Sequence, residues 1–397
     1  MKSLIVLVCL LAFSAHAQTV GPCQIFPSTD PWNTDISKYP IHPSSDAFVA
    51  KINSSRIALH PDFTSTVNGG IPYVVVGSSQ ALVSIVFTSY PSESDPGPYA
   101  IPANAPIEQP PGGDCHVLVV DTSNAMLYEL YQGVKDASGT GWSAACGAKY
   151  DLTKTEYRPL GWTSCDAAGL PIFPGLVRYD EVASGEIKHA VRFTTNKTVR
   201  GFIHPARHYA SALTDPTYPP MGLRMRLKSN FDLSTYTGQS KIILTALKKY
   251  GMILADNGSA WFITGAPDPR WDDNDLNQMK NVPGNAFEAV MTGKTYLNYN
   301  VDPVDGVAPE VIAGGVSLDP PSPNPACRTI SATYIAPEGA KVEFGVLDML
   351  GRTMVVKATS DENGRCSVDL SGLPNGSYIL AMTTKDRICS RPFMVLR

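Results

Sequence analysis

Short runs in which apolar residues alternate with polar ones, or stand together over five to seven positions, recur along most of the chain. They are IPYVVVG (71–77), ALVSIVF (81–87), HVLVVD (116–121), MLYELY (126–131), IKHAVRF (187–193), VRGFIH (199–204), MGLRMRL (221–227), MILAD (252–256) and SAWFITG (259–265). Runs of this length and period predict strands. A helical period is confined to KIILTALKKYG (241–251), which stops at Gly251, and to a short turn starting near Asp272. Ten or so strands with so few helices predict one large β-sandwich or jelly roll over residues 18–305. No internal repeat interrupts it.

The pattern lapses at PVDGVAPEVIAGGVSLDPPSPNP (303–325), a Pro/Gly/Val-rich stretch without periodicity. It predicts a stiff linker over 306–322. Alternation then resumes. Val342, Phe344 and Val346 share one face of KVEFGVLDMLG, CSVDLSGLPNGSYILAMTT follows, and RPFMVLR ends the chain. Residues 323–397 therefore predict a small Ig-like sandwich of about seven strands.

Several motifs of this last segment carry a resemblance. Pro323-Asn324-Pro325, Asp348-Met349-Leu350-Gly351-Arg352, Leu373-Pro374-Asn375-Gly376-Ser377-Tyr378 and the final Phe393-Met394-Val395 stand in the order seen in the C-terminal sorting domain of type IX secretion cargo. The segment resembles that domain throughout. The resemblance implies a Bacteroidota-type Gram-negative source, Sec export to the periplasm, and recognition by the type IX machinery on the way to the medium or cell surface. Residues 18–305 are similar to a group of secreted bacterial proteins that share Gly161-Trp162-Thr163-Ser164, Ala167-Ala168-Gly169-Leu170-Pro171 and Gly185-Glu186-Ile187. That likeness attaches no activity.

The N-terminus agrees with export. Lys2, an apolar run from Leu4 to Phe13, and Ala15-His16-Ala17 read as a signal peptide cleaved after Ala17. The run is too short to span a membrane comfortably, and no other apolar stretch reaches about 18 residues. With 32 Lys/Arg against 36 Asp/Glu and no basic stripe, nucleic acid is not an expected partner.

Cysteine usage adds one expectation. Seven cysteines follow the signal (23, 115, 146, 165, 327, 366 and 389), none in a C-x-x-C pair. Cys146 and Cys165 close the shortest plausible loop, and a disulfide there would stabilise the fold by about 3 kcal/mol in the chain-entropy account. It would also fix the loop carrying Trp162 and Asp166.

Candidate chemistry is dispersed. Pairing Asp121 with Met126 across the TSNA loop places His116, Tyr131 and Glu129 on one face, able to bind a sugar or move a proton. Leu118, Val120 and Leu127 share that face, so a polar cap on a core is the competing reading. In GLPIFPGLVRYDEVASGEIKHAVRF (169–193) a Pro/Gly loop leads to Asp180, Glu181 and Glu186, carboxylates that could flank a glycosidic bond. His189 follows in an apolar row, where a satisfied core histidine is expected. A second hairpin is predicted from 187–193 to 199–204, ending in HPARHY. Its His204, Arg207, His208 and Tyr209 could serve a uronate lyase, in which Arg neutralises the carboxylate and His or Tyr takes the α-proton, with a β-turn of buried hydrogen bonds as the competing and favoured reading.

Pro205 keeps His204 out of the α region, which argues against a helical zinc pair. Asp272, Asp273 and Asp275 lack EF-hand spacing and fit a helix N-terminus. Trp142, Trp162, Trp261 and Trp271 are stacking candidates that compete with core packing. No P-loop, dinucleotide fingerprint or nucleophile elbow occurs, so no cofactor or metal is expected. Two readings follow: a secreted polysaccharide-directed glycoside hydrolase or lyase, or a non-catalytic surface protein that binds glycans or mediates adhesion.

Overall fold

A computed structural model of the protein describes residues 17–109, 112–136, 141–299, 316–336, 339–348, 352–361, 364–384 and 388–397. The expected signal peptide up to residue 16, most of the linker (300–315) and Met349-Leu350-Gly351 lie outside the described residues. The chain is mostly β, 33% strand against 14% helix, as the alternation predicts.

Two sheets organise residues 17–299. In the first, Cys146–Asp151, Met126–Tyr131 and Val117–Asp121 run antiparallel, and Tyr73–Val76 joins in parallel at the edge. Both faces of this sheet are covered. Leu118, Val120 and Leu127 enter the main core, whereas Val117, Val119, Tyr128 and Leu130 pack with Tyr99, Ile101 and Trp142 in a second one. That double burial explains why the central strand reads as an unbroken apolar run. The hairpin takes the predicted register, with Asp121 opposite Met126 and Leu118 opposite Glu129.

The second sheet has the order Phe287–Val290, Arg224–Leu227, Met252–Asn257, Val191–Thr195, Phe262–Thr264, His60–Asp62. Val191–Thr195 lies at its centre, parallel to Met252–Asn257 on one side and antiparallel to Phe262–Thr264 on the other. The predicted hairpin from 187–193 to 199–204 therefore does not form. Both edges of the first strand are taken by distant partners, and Phe202–Ile203 pairs instead with Thr295–Tyr296. Burial of a strand on both faces outweighs the proximity that favours a local hairpin.

The helix expected at 241–251 spans Gly238–Lys249 and buries Ile243, Leu244, Ala246 and Leu247. Gly251 follows at φ 65°, and a Cβ there would sit 2.1 Å from the Met225 carbonyl oxygen, so glycine is the residue that can end this helix. The second helix begins where expected. Asp272 caps Asp273–Leu276 by accepting from the amides of Asn274 and Asp275.

Residues 316–397 form two four-stranded sheets around a core of their own. Ser317–Leu318, within the predicted linker, pairs with Thr329–Ile335, so the described module starts before residue 323. Val346 is buried in this core, and Val342 and Phe344 pack against it on the predicted face. The motif asparagines tie down the last strand. Asn324 Oδ1 accepts from the Met394 amide at 2.9 Å, and Asn375 Oδ1 accepts from the Arg397 amide at 3.0 Å.

The main core draws on residues 20–289 and the C-terminal core on residues 316–395, with no residue in common. Residues 17–299 made alone should therefore be monodisperse and melt in one cooperative transition. A broad, non-cooperative melt of that fragment would show that the C-terminal module completes its core.

Candidate functional site

Arg192 and Thr194 alternate with Val191 and Phe193, both of which face the main core. Arg192 is 4% exposed, and its guanidinium is satisfied on every nitrogen. Nε donates to Asp166 Oδ2 at 2.7 Å, one Nη to Thr264 Oγ1 at 2.9 Å and the other to Asp256 Oδ2 at 3.2 Å. Thr264 and Asp256 stand on the two neighbouring strands, so the fork bridges both and reaches the 163–169 loop. That loop is held by further bonds: Ala168 N donates to Asp166 Oδ1 (3.1 Å) and to the Ala255 carbonyl (2.9 Å).

His116 extends the charged cluster. Nδ1 lies 2.5 Å from Glu108 Oε2 and Nε2 lies 2.9 Å from the Cys165 carbonyl. Both neighbours are acceptors, so the ring donates from both nitrogens and carries its charge. Burial opposes that charge, but the Glu108 carboxylate outweighs it and raises the His116 pKa. Burial likewise opposes ionisation of Glu108, and the bond to His116 wins, holding Glu108 below its ordinary range.

The two aspartates behave differently. Burial pushes Asp166 up to about 6 despite Arg192. Asp256 is raised by the same cause, with Arg192 and the amides of Asn257 and Ala167 only partly offsetting it. Asp62, on the sheet's edge strand, is also raised by its carboxyl's burial and by Glu108, with Arg192 opposing, although the residue as a whole is exposed. Asp166 has no exposed side-chain surface, whereas Glu108 and Asp256 keep 15% and 25%. Glu108 and Asp256 thus keep part of their side-chain surface open beside the buried His116 and Arg192.

Of the residues singled out in the sequence, His116 and Asp166 belong to this cluster, and Tyr131 lies beside it with its ring 5.6 Å from that of His116. Glu129 shares their face but is fully buried. Its carboxylate accepts from the amides of Ile172 and Phe173, and burial lifts its pKa to about 7. It braces the 169–176 loop from the interior. Glu181 falls in the helix Tyr179–Ser184, bonded to Arg178 at 2.9 Å and to His189 at 3.0 Å. His189 is the satisfied core histidine expected, its other nitrogen 2.8 Å from the Ala190 carbonyl. Glu186 is exposed and pairs with Lys249.

HPARHY does not converge. His204 is buried edge-on to Tyr157, with ring centroids 4.5 Å apart, and is followed by a cis bond to Pro205. Arg207 Nε donates to the Arg158 carbonyl, and His208 Nδ1 lies 2.9 Å from the Ala167 carbonyl. Tyr209 stacks on Tyr299 at 4.5 Å with Arg200 over its ring, so its faces are already occupied. Trp142, Trp261 and Trp271 are core residues, whereas Trp162 stays half-exposed beside the Arg158 guanidinium, 5.5 Å from its ring. The disulfide expected between Cys146 and Cys165 is not present in this structure, where both residues are buried and both thiols are free.

Glu108, Arg192, Asp256 and Thr264 went unnoticed in the sequence. Arg192 left one signal, a cation in the middle of a short strand whose opposite face carries Val191 and Phe193. Glu108, in a Pro/Gly-rich loop, left none. Apart from this cluster, a half-open groove of about 270 Å³ runs between Gly185–Ile187 and the helix Gly238–Lys249, and none of its lining residues belongs to the charged set.

Residues 322–395 match the family model described as the secretion system C-terminal sorting domain. The chain therefore carries a type IX sorting tail and is a secreted or cell-surface protein. Among the described residues no helix is long and apolar enough to cross a membrane. No curated protein matches the chain. Solved structures similar to parts of it include the Lin-41 filamin domain, with 23% identity over 22% of this chain and 96% of that one at TM-score 0.18. CopC from Methylosinus trichosporium OB3b has 21% identity over 20% and 92%, at TM-score 0.15. The BSP domain of a biofilm associated protein has 10% identity over 68% and 60%, at TM-score 0.18.

Two expectations follow. Deleting residues 322–397 should leave the protein inside the cells of its host, read by immunoblot of medium, surface and periplasmic fractions. Normal amounts in the medium would contradict the role of the tail. The second concerns His204, whose pKa burial lowers to about 3, with Arg207 adding to the effect. The unfolded chain protonates this site near pH 6.5, as a free histidine does. The folded chain refuses that proton, so the stability present above this pH is lost progressively as pH falls from about 6.5 toward 3. Between pH 7 and 4.5 the wild type should lose more melting temperature than H204F. Equal losses would place His204 in contact with water.

Proposed function

We propose that residues 17–299 are a secreted glycoside hydrolase acting on a polysaccharide, with its acid–base pair at Asp256 and Glu108. One observation carries the reading. Two partly exposed carboxyls are each paired with a buried cation, Glu108 with His116 and Asp256 with Arg192, and their surroundings shift them in opposite directions. Such divergence separates an acid from a base. Asp256, raised by burial, holds the proton that a leaving glycosidic oxygen needs. Glu108, held ionised by His116, serves as the opposing carboxylate. Arg192 and His116 provide the positive floor that keeps two acids close together, and Tyr131 and Trp162 offer ring faces to a sugar. The lyase alternative has less support, because His204 is buried against Tyr157, Arg207 is bonded to a backbone carbonyl, and the rings of His208 and Tyr209 are taken up in one stack with Tyr299.

The test is a polysaccharide panel read for new reducing ends. D256N and E108Q should each lose about 100-fold or more in kcat while binding persists. Activity needs Glu108 ionised and Asp256 protonated, so it should fall below Glu108's lowered pKa and above Asp256's raised one, giving an optimum on the acid side of neutrality. Unsaturated products would instead indicate a lyase. Binding across the panel without any product would assign the region to glycan binding or adhesion.

A further inference from the structure

Cys146 opens the edge strand Cys146–Asp151, and Cys165 stands in the loop that supplies Asp166 to Arg192. The two are buried, at 0% and 3% exposure, and their thiols interact side chain to side chain. Cys165 Sγ also lies 3.8 Å from the Cys146 carbonyl oxygen, so the two residues meet along backbone as well as side chain. Polar groups surround Cys146. Its Sγ is 3.8 Å from the Glu93 carbonyl, and Ser94 and Arg158 are near enough to favour a negative sulfur. On the other side, the Cys165 carbonyl is the acceptor for His116 Nε2 at 2.9 Å. The pair therefore joins the first sheet to the loop that holds one end of both charged contacts.

We propose that Cys146 and Cys165 are a covalent modification site, closing to a disulfide during folding outside the cytoplasm and locking the Asp166 loop against the first sheet. Its effect on activity rests on the hydrolase reading; its formation does not. The oxidant is the disulfide of an exported thiol–disulfide oxidoreductase. The Cys146 thiolate attacks one sulfur of that disulfide and expels the other as a thiolate, forming a mixed disulfide. The Cys165 thiolate then attacks the Cys146 sulfur and releases the oxidoreductase as its dithiol. Two protons and two electrons leave the pair, and the oxidant gains them. Oxidation precedes burial, because neither thiol is open to a protein oxidant once the fold is complete.

The full-length protein purified from the medium is unfolded in denaturant with an alkylating agent present, digested, and mapped by mass. A linked peptide pair containing Cys146 and Cys165, lost on prior reduction, is the expected result. Both cysteines alkylated without reduction, or either linked to another residue, would overturn the proposal. C146A/C165A should melt several degrees below the wild type under oxidising conditions and alongside it in reductant. A variant that melts lower by the same margin in both would show that lost packing, not a lost bond, is responsible. A mapped disulfide in a protein inactive on every polysaccharide would sustain the bridge and remove only the hydrolase.

Discussion

The buried guanidinium of Arg192 is the constraint around which residues 17–299 are arranged. A cation removed from water must be paired and hydrogen-bonded, or the cost runs to several kcal/mol. Here its nitrogens are met by Asp166, Thr264 and Asp256, drawn from a loop and from the two neighbouring strands. Because each partner is committed, the loop cannot drift from the sheet without stranding a charge. Losing one partner of such a buried pair typically costs about 3–5 kcal/mol, more than any single apolar contact nearby. The pairing thus adds definition as well as stability: it determines which way the 163–169 loop turns, and with it where the Cys165 carbonyl meets His116.

The charged cluster also explains why so much of the interior is ionisable. Arg178, Arg192 and Arg224 are all nearly inaccessible, and each is bonded to carbonyls or carboxylates from distant parts of the chain. Arg178 bonds to Gln18 and Thr19 near the start of the fold, and Arg224 reaches the carbonyls of Pro31 and Thr34. The planar fork of arginine fits this task, since it satisfies several acceptors at once in fixed directions. Arginine here serves as a fastener: Arg192 adds a loop to strands already paired, and Arg178 and Arg224 tie in segments from the start of the fold that share no strand pairing with them.

What could be read from the sequence follows the distance over which each feature is decided. The 117–131 hairpin, its register and its His116–Tyr131 face depend on a four-residue turn and a two-residue period, and both are local. The helix end at Gly251 and the Asp272 cap are equally local. Arg192 meets Asp256 and Thr264 at separations of 64 and 72 residues, which no periodicity records. HPARHY shows the opposite failure. Residues adjacent in sequence attracted a catalytic reading, but the backbone sends His204 inward, Arg207 to a carbonyl and Tyr209 onto Tyr299. Clustering along the chain is weak evidence of convergence in space when the segment is neither helix nor regular strand. The tail was legible because its motif residues act on their own module, with Asn324 and Asn375 holding the terminal strand.

The strand order of the larger sheet has a kinetic meaning. Its edge strand His60–Asp62 and its opposite edge Phe287–Val290 come from nearly the two ends of the region, and the centre is a parallel pair that cannot close as a hairpin. Loop-closure entropy must be met before any of these pairings returns energy, so such a topology forms slowly and late. A chain emerging from a ribosome could not assemble this sheet until almost all of the region had been synthesised. For a chain bound for the medium or the cell surface, that delay leaves the polypeptide open for longer after synthesis.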